Sequence, residues 1–278
     1  MTCLIIGKRS YLTKNLVKSI PNTIIIPSQT LLQREFLKIK LNTKNVNIIF
    51  NHSYPLTKIL NTKNFSIIIN HNIIVLKNLV KLIIKKKIKV NKFIFTSSSS
   101  VYGLNVKEKK IFKLKNNRML YASTKFFCEN FLISMMPSLN CKLVILRIFN
   151  MYGPGEKVSL ISKIIEKKIK NKKININPNK KIFRDFIHVD DVVKIYKEIL
   201  LNKQIEGVFD IGTSKSTNIH KLISKYFIKD KQITIKNTYS NLDYSKADMK
   251  ILSKFININK LINLNNYIKE ELIKNKNN

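Results

Sequence analysis

Tyr121 and Lys125 stand four positions apart in the stretch Tyr-Ala-Ser-Thr-Lys. On a helix this spacing places a phenol and an ammonium group on one face, about one turn from each other. A phenol ionises near pH ~10, so tyrosine becomes a useful base at neutral pH only where a nearby cation favours the phenolate. The pair therefore predicts a device for proton transfer.

A hydroxyl group that could complete this device precedes the pair along the chain. Ser98 lies in the run Phe95-Thr-Ser-Ser-Ser-Ser-Val-Tyr-Gly103, at the end of a strand-like segment. A hydroxyl at such a strand end can share a hydrogen bond with a substrate oxygen. Tyrosine–lysine pairs with this spacing also arise by chance on amphipathic helices, so the prediction depends on further motifs.

The first strand-like run leads into the segment Gly7-Lys-Arg-Ser-Tyr-Leu-Thr13, which is followed by a helical pattern. A dinucleotide-binding turn at this place prefers glycine three times, but here Ser10 and Thr13 hold two of the three places. The N-terminus of the helix still offers amide groups and a positive dipole end to a phosphate. A phosphate-binding turn and an ordinary strand-to-helix turn are both compatible with these residues.

The residues after the second strand-like run bear on the choice of cofactor. Pro27-Ser-Gln29 contains no acidic residue to bind the ribose hydroxyls of NAD. Ser28 and the more distant Arg34 could tolerate a 2′-phosphate, so NADP is possible beside NAD. A simple surface turn is equally compatible.

Short apolar, β-branched runs alternate with helical patterns through the first two thirds of the chain. This alternation predicts an α/β fold with βαβ units, that is, a Rossmann-like, doubly wound parallel sheet, with a smaller, mostly helical C-terminal region. The predicted strands are Cys3–Ile6, Thr23–Ile26, Val46–Phe50, Phe93–Ser97, Lys142–Ile148 and Val208–Ile211. The predicted helices are Tyr11–Ser19, Val75–Lys87, Ser123–Met136, Ser159–Lys170, Val189–Leu201 and Ile219–Tyr226.

The formal net charge of +36 raises the question of nucleic-acid binding. Of the 52 basic residues, five are arginine, which leaves 52 − 5 = 47 lysines spread along the whole chain. Nucleic-acid surfaces prefer arginine for bidentate and stacking contacts. The composition therefore favours solvated lysine faces over a specific nucleic-acid site.

Three cysteines, Cys3, Cys128 and Cys141, have neither the spacing of a metal site nor that of a disulfide framework. Reduced, buried thiols in a cytoplasmic protein are the expected state, and no metal is predicted. Polar residues interrupt the apolar stretch from Ile67 to Ile84, which argues against a membrane span.

Five motifs occur in order along the chain. They are Thr96–Gly103, Tyr121–Lys125, Leu146-Arg-Ile-Phe-Asn-Met-Tyr-Gly-Pro-Gly155, Arg184-Asp-Phe-Ile-His-Val-Asp-Asp191 and Val208-Phe-Asp-Ile-Gly212. Together they resemble the extended short-chain dehydrogenase/reductase family, the NAD-dependent epimerases and dehydratases of nucleotide sugars. Five motifs in order are far more specific than any one of them.

The resemblance implies a catalytic base in Tyr121, a pKa-lowering and ribose-binding residue in Lys125, and a hydroxyl in Ser98 that binds the reacting sugar oxygen. It further implies residues that contact the cofactor and residues that contact the nucleotide sugar. The cofactor-contacting set is Gly7, Ser10, Tyr11, Leu12, Asn72, Tyr121, Lys125 and Phe149. The substrate-contacting set is Ser98, Asn150, Arg184 and Phe186, with Arg184 on the pyrophosphate.

The resemblance also implies where the cofactor domain and the substrate region divide. Residues 1–152 and 183–216 would form the NAD(P)-binding domain, and residues 153–182 and 217–278 the substrate-binding region. A homodimer through the Tyr121 helix and the helix before Phe93 would follow the family pattern.

Several reactions occur in the family, and the residues narrow the choice. Dehydratases of this family carry an Asp-Glu pair directly after the catalytic hydroxyl residue, where this chain has Ser99 and Ser100. A 4-epimerase that forms a transient keto-sugar is therefore expected, with an NADPH-dependent reductase of 4-keto-sugars as the alternative. A relative that has lost catalysis and acts as a binding protein, for nucleic acid among other partners, is a third hypothesis.

His52 and Ser53 occupy the place of two small residues of the family, where they would crowd a cofactor. Two other departures from the family pattern motivate the third hypothesis. Two glycines of the phosphate turn are replaced. The arginine that normally precedes the Asp243-Tyr-Ser-Lys-Ala247 segment is also missing. Lys231 or Lys236 could replace it as a point charge, but not as a bidentate clamp.

Overall fold

The computed structural model describes residues 2–41, 43, 45–52, 65–103, 117–176, 181–227, 233–235, 243–257 and 260–275. A parallel sheet of six strands forms the centre of the molecule. The strands are β1 (Thr2–Ile6), β2 (Thr23–Ile26), β3 (Asn45–Phe50), β4 (Lys89–Ser98), β5 (Lys142–Ile148) and β9 (Gly207–Ile211).

Helices cover both faces of this sheet, because successive side chains of each strand point to opposite sides. Cys3 and Ile5 join an apolar cluster with the first and seventh helices, whereas Leu4 and Ile6 join a second cluster with the second, fourth and fifth. The helices are α1 (Tyr11–Ser19), α2 (Ser28–Leu32), α3 (Phe65–Ile69), α4 (Val75–Lys85), α5 (Asn117–Met135), α6 (Leu160–Ile169), α7 (Val189–Leu201), α8 (Ile219–Phe227) and α9 (Leu264–Lys274). The prediction of a doubly wound α/β fold is confirmed.

Two predicted elements begin several residues earlier than the sequence indicated. Strand β4 begins at Lys89 rather than Phe93. It therefore includes Lys92, a lysine that is only 4 % exposed. The amine of Lys92 donates hydrogen bonds to the carbonyls of Ile199 and Asn202, both at 2.6 Å, at the end of α7. Helix α5 begins at Asn117 rather than Ser123, so Tyr121 and Lys125 lie within one continuous helix.

The strand order β2-β1-β3-β4-β5-β9 decides where a ligand can bind. The chain moves outward in one direction from β1 to β2 and then in the other direction from β3 onward. Loops therefore separate beyond the carboxyl ends of β1 and β3 and leave a crevice, the usual ligand site of open α/β sheets.

The smaller region contains short strands as well as the predicted helices. Strands β6 (Asn150–Tyr152), β8 (Ile182–His188), β10 (Ser216–Asn218) and β12 (Asp243–Tyr244) form one sheet around β8, and β7 (Ile174–Ile176) pairs with β11 (Ile233–Ile235). Helices α6, α8 and α9 share a third apolar cluster with Tyr152 and Phe186. The strands were not predicted, nor was α9. The division of the chain into two domains stays a prediction.

One described helical run, Ser66–Lys85, has the length and apolar composition to cross a membrane. Half of it is buried inside the fold, as is usual for a core helix that packs against a sheet. The outer faces of α4 and α5 carry the exposed side chains Ile84, Phe126, Phe127 and Ile133. The homodimer through these two helices stays a prediction.

Candidate active site

The crevice at the carboxyl ends of the strands brings together residues from distant parts of the sequence. Gly7 follows β1, Asn51 and His52 follow β3, Ser98 ends β4, and Phe149 follows β5. Helix α5, with Tyr121 and Lys125, packs against β4 and against the turn after Ser98. The edge of the sheet thus collects most of the predicted catalytic and cofactor-contacting residues.

The turn after β1 passes very close to the end of β3. Gly7 has a φ of +112°, and a Cβ atom at this position would lie 2.8 Å from the carbonyl oxygen of Asn51. Only glycine allows this approach and this backbone conformation without strain. The backbone conformation and the close approach of Asn51 therefore require glycine at the first position of the phosphate turn.

Hydroxyl groups at the two missing glycine positions bind a single amide. The side-chain nitrogen of Asn51 donates to Ser10 Oγ at 3.0 Å and to Thr13 Oγ1 at 2.9 Å. Asn51 is 7 % exposed and Thr13 is fully buried, so the added polar atoms satisfy each other rather than remain unpaired. Sequence reasoning missed Asn51, because its partners are about forty positions earlier in the chain.

The N-terminus of α1 keeps the features of an anion site. Ser10 stands at the N-cap, but its side chain makes no capping hydrogen bond, and no acidic residue lies in the first turn. The backbone amides of Tyr11 and Leu12 therefore face the crevice end of the helix with its positive dipole.

The side chains of Tyr11 and Leu12 serve the fold. The Tyr11 hydroxyl donates a hydrogen bond to the carbonyl of Pro154 at 3.0 Å, and Leu12 is 2 % exposed in the core. Burial, together with the charges of Glu156 and Asp190, raises the pKa of Tyr11 above its usual value. The cofactor contacts of these two residues stay a prediction, and the backbone amides are the groups left to make them.

Ser98 ends β4 and begins a short 3₁₀ turn, Ser99–Tyr102. Its hydroxyl accepts a hydrogen bond from the Ser100 amide at 3.2 Å and donates one to the Ser100 hydroxyl at 3.1 Å. The Ser98 side chain is therefore oriented by its own turn.

Lys125 is buried between the sheet and α5, and its amine reaches the ends of two strands. The amine donates to the carbonyl of Thr96 at 2.7 Å and to that of His52 at 3.4 Å, and it lies 4.9 Å from the ring centre of Phe95. Burial lowers the pKa of Lys125 to about 8, although the charges of Cys128 and Glu129 act in the opposite direction. The amine, one helical turn from Tyr121, thus carries its charge at neutral pH and loses it at moderately alkaline pH.

His52 stands next to this amine at the end of β3. Burial lowers the pKa of His52 to about 4, assisted by the charge of Lys125, while a hydrogen bond to the His71 backbone opposes the shift. The imidazole is therefore neutral at physiological pH. Its Nε2 atom is buried and has no hydrogen-bond partner in the described part of the chain, so it can bond to an incoming polar group. Ser53 lies outside the described residues.

Two further predicted cofactor contacts are enclosed by protein. Asn72 lies in a π-helical turn, Asn70–Ile74, between α3 and α4, and its side chain donates to the carbonyl of Ile68 at 3.0 Å. Phe149 is 4 % exposed within the cluster shared with α1 and α7. Their contacts with a cofactor stay a prediction. Ser28 is buried in α2 and Arg34 is exposed, and the prediction that these two residues tolerate a 2′-phosphate is likewise untested.

Asn150 and Phe186 pair across β6 and β8, where the substrate region begins. The Asn150 side chain donates to the carbonyl of Asp185 at 2.7 Å, and Phe186 is 4 % exposed in the third apolar cluster. Both predicted substrate contacts therefore lie at one junction, behind the end of the large sheet.

Asp185, which sequence reasoning did not single out, holds this junction together. Its carboxylate accepts hydrogen bonds from the amide and hydroxyl of Thr213 at 2.8 and 2.6 Å and from the Ala247 amide at 3.0 Å. Burial raises the pKa of Asp185, while these hydrogen bonds act to lower it. A Cβ atom at Gly212 would lie 2.9 Å from this carboxylate, which explains the glycine at the end of the Val208–Gly212 motif.

Arg184, the predicted pyrophosphate ligand, is engaged by a carboxylate. Its guanidinium forms a two-pronged ion pair with Asp243, with Nη1 2.8 Å from Oδ1 and Nη2 bonded to Oδ2. Nη1 also donates to the carbonyl of Phe183 at 2.8 Å. The pair joins Arg184 to the late Asp243–Ala247 segment. The substitute cations Lys231 and Lys236 lie outside the described residues.

The residues around the crevice fit a dinucleotide. The close approach at Gly7 and the uncapped amides of α1 suit a pyrophosphate, and the unpaired His52 Nε2 and the Lys125 amine suit a ribose or an amide. The described residues contain no group of three or more His, Cys, Asp or Glu side chains that could hold a metal ion. The arrangement can position a sugar hydroxyl beside a phenol and a buried cation.

Comparison with known proteins adds a family model and two curated relatives. A model of the NAD dependent epimerase/dehydratase family matches residues 28–212. A dTDP-D-glucose 4,6-dehydratase of Dictyostelium discoideum is 30 % identical over 141 residues, which is 46 % of this chain and 32 % of that protein. An ADP-L-glycero-D-manno-heptose-6-epimerase of Brachyspira hyodysenteriae is 27 % identical over 211 residues, 66 % of this chain and 64 % of that protein. The similarity thus spans about one third and just under two thirds of the relatives.

Among solved structures, the fold is similar to that of a UDP-glucuronic acid 4-epimerase from Bacillus cereus, in complex with UDP-glucuronic acid and NAD. The TM-score is 0.78 at 21 % sequence identity, and the superposition covers 100 % of this chain and 99 % of that one. At this identity the likeness establishes the shared fold.

The buried neutral imidazole of His52 predicts a loss of stability in acid. The pKa of His52 is about 4 in the folded chain, against about 6.5 in an unfolded one, so the unfolded chain binds the extra proton first. The contribution of His52 is present above about pH 6.5 and is lost as the pH falls toward 4, by roughly 3 kcal/mol in the free energy of unfolding. Urea unfolding at several pH values measures this slope. His52→Asn is expected to flatten it, and equal slopes for both proteins would contradict the assignment.

Proposed function

The chain belongs to the NAD-dependent epimerase/dehydratase family, and on that premise we propose that it is a nucleotide-sugar 4-epimerase that acts on a UDP-hexose or a similar compound. The observation that supports the proposal is that Ser98 ends β4 while Tyr121 and Lys125 lie on α5, which packs against β4 and against the turn after Ser98. Folding alone does not require this set, because a buried lysine amine is costly wherever it lies.

The proposed chemistry begins with the sugar hydroxyl at the carbon to be inverted. Ser98 holds the oxygen of this hydroxyl, Tyr121 takes its proton, and the charge of Lys125 favours the phenolate that makes this possible. The nicotinamide cofactor, when bound, supplies the oxidising and reducing equivalents of the reaction. A flat keto-sugar can then rotate within the site, and Tyr121 returns the proton on reduction.

The residues beside Ser98 argue against dehydration as the outcome. An elimination of water needs an acid and a base near the ring, and the turn after Ser98 offers Ser99 and Ser100, whose hydroxyls do not titrate near neutral pH. Epimerisation needs no further acid or base. The similarity to a curated dehydratase covers only a third of that protein, so it does not support dehydration as the reaction of this chain.

Residues at the junction of the two regions are proposed to hold the nucleotide. Arg184 offers a planar fork that matches two phosphate oxygens, as it now matches the two oxygens of Asp243. Asn150 and Phe186 lie beside it on β6 and β8. Substrate binding at this junction would place the sugar toward Ser98 and the nucleotide toward the late Asp243–Ala247 segment.

An NADPH-dependent reductase of 4-keto-sugars is the second candidate. The absence of an acidic residue after β2 and the presence of Ser28 and Arg34 favour it, because a 2′-phosphate would meet no carboxylate there. A binding protein that has lost catalysis is the remaining candidate. A cytoplasmic location is proposed for the protein in each case, supported by its three free, buried cysteines.

Release and quantification of nicotinamide cofactor from the purified, nuclease-treated protein distinguish these candidates. An epimerase keeps its reducing equivalents between the two half-reactions, so about one tightly held NAD per chain is expected. Protein without retained cofactor that instead binds and consumes NADPH would favour the reductase. Protein that neither retains NAD nor binds NADPH would leave the binding protein.

Tyr121→Phe tests the proposed base. The variant removes one hydroxyl and keeps the ring, so the fold and the retained cofactor are expected to persist while kcat falls by roughly 10²- to 10⁴-fold. Interconversion of the nucleotide sugar under single-turnover conditions measures the loss, and circular dichroism checks the fold. Near-normal turnover by the variant would exclude Tyr121 as the base.

Arg184→Ala tests the proposed nucleotide site. Loss of hydrogen bonds to a charged group costs about 1.5–3 kcal/mol, which corresponds to a rise in KM of roughly 10- to 100-fold. Little change is expected in kcat, since the reacting carbon is remote from the phosphates. Asp243→Asn is the matched control, because it removes the negative charge that pairs with the guanidinium and leaves the guanidinium itself intact. Unchanged kinetics of Arg184→Ala would remove this residue from the substrate site.

A further inference from the structure

A buried carboxylate lies behind the three residues to which the chemistry is assigned. Glu129 is on α5 and is only 1 % exposed, in a chain with 16 acidic and 52 basic residues. It follows Tyr121 and Lys125 at successive intervals of four residues, so all three side chains lie on one face of the helix.

The carboxylate of Glu129 is held from two strands of the large sheet. From β5, Arg147 donates through Nε to Oε1 and Oε2 at 3.1 and 3.2 Å and through Nη2 to Oε2 at 2.5 Å. From β4, the Ser97 hydroxyl donates to Oε1. Ser97 is the immediate neighbour of Ser98. One carboxylate thus connects the helix of the proposed base to the strand of the substrate hydroxyl.

The other side of the Arg147 guanidinium is also engaged. Its Nη1 donates to the Tyr102 hydroxyl at 2.7 Å, which donates to Asp210 Oδ1 at 2.9 Å. The second oxygen of Asp210 accepts the Asp248 amide at 3.0 Å. Burial acts to lower the pKa of Arg147, but the hydrogen bonds and charge of Glu129 outweigh it and raise the pKa above its usual value. The guanidinium therefore stays charged, and its removal would leave the buried carboxylate of Glu129 without its charged partner.

Such an ion pair contributes geometry more than stability. Removing two charges from water costs several kcal/mol each, and good hydrogen bonds do little more than offset this cost. An apolar pair would pack the same space without fixing the distance between α5 and the sheet as closely. What the charged pair adds is a forked, directional contact that admits one register.

We propose that Glu129 is a positioning residue, whose carboxylate, clamped by Arg147 and Ser97, sets the register of α5 against β4 and thereby the place of Tyr121 and Lys125 relative to Ser98. The inference rests on the proposed function for its catalytic consequence, and on the contacts alone for its geometric part. It concerns residues that act through others, since Glu129 itself touches none of the reacting groups.

An electrostatic consequence follows from the same geometry. Among the described residues, the titratable groups that act on Lys125 are Cys128 and Glu129 on its own helix and His52 at the end of β3, and His52 is neutral above about pH 4. Tyr121 lies one turn before Lys125 on the same helix. The charge of Glu129 raises the pKa of Lys125 against the effect of burial. Loss of that charge lowers the pKa of Lys125 below about 8, so the cation beside Tyr121 disappears at a lower pH.

Glu129→Gln is the variant that tests the proposal, with two readouts. In the wild-type and variant proteins, NMR titration of the lysine side chains follows the amine assigned with Lys125→Arg. In the same proteins, kcat and KM for the nucleotide sugar are measured across pH. We expect the Lys125 titration and the alkaline limb of kcat to move to lower pH. We also expect kcat to fall about tenfold or more, with KM changed less than about twofold.

Two companion variants make the result decisive. Glu166→Gln makes the same carboxylate-to-amide change at an exposed ion pair with Lys170 on α6 and is expected to behave as wild type. Ser97→Ala removes one donor to Glu129 but leaves the ion pair, so it gives a smaller loss of kcat even where Glu129→Gln fails to fold.

Each outcome bears on one of the two proposals. Wild-type values of kcat and an unmoved Lys125 titration in folded Glu129→Gln would overturn the inference, as would a loss confined to KM. A wild-type protein without turnover would overturn the proposed function, while the Lys125 titration would still decide whether Glu129 acts on that amine.

Discussion

The cost of burying the ammonium group of Lys125 governs the arrangement of the whole site. A charge in an apolar interior is tolerated only where its hydrogens find acceptors. The carbonyls of Thr96 and His52 provide them at the ends of β4 and β3, where the ladder no longer uses every backbone group. Helix α5 must therefore cross the sheet at this edge, and Tyr121, one turn earlier, is carried to the same place. The solvation of Lys125 thus brings the proposed base to this edge of the sheet, where the contacts of Glu129 are proposed to set its register.

The altered phosphate turn shows how a motif can change while its geometry persists. Serine and threonine in place of glycine bring a Cβ atom and a hydroxyl group into a crowded turn. Asn51 compensates for both changes, because its side-chain amide donates hydrogen bonds to the hydroxyls of Ser10 and Thr13. Gly7 has no such freedom, since a Cβ there would meet backbone rather than a side chain. The requirement for glycine is therefore specific to one of the three positions.

Local pattern was enough to predict the large sheet, but it could not supply contacts between distant residues. Runs such as Cys3–Ile6 and Lys142–Ile148 are apolar, β-branched and bounded, and they form strands with almost the predicted limits. The strand that contains Lys92 was shortened in the prediction, because only the end of α7 makes a buried lysine acceptable. Strands β6, β10 and β12 have two or three residues each and exist through their pairing with β8. Of the buried charges, Glu129 lies four residues after Lys125 and could have been found from that spacing. Asp185 could not, because its partners come from two later segments.

The ion pair between Arg184 and Asp243 makes anion capture at this junction an exchange. An arriving phosphate does not meet an open cation; it competes with a carboxylate that already fills both prongs of the fork. The binding free energy of such a ligand is only the difference between its own interaction with Arg184 and that of Asp243. A small monovalent anion carries the same charge as Asp243 and would not displace it. Displacement would need an anion with two coplanar oxygens and a higher charge. In a chain with a formal net charge of +36, this internal carboxylate would make the junction selective against anions that cannot supply both features.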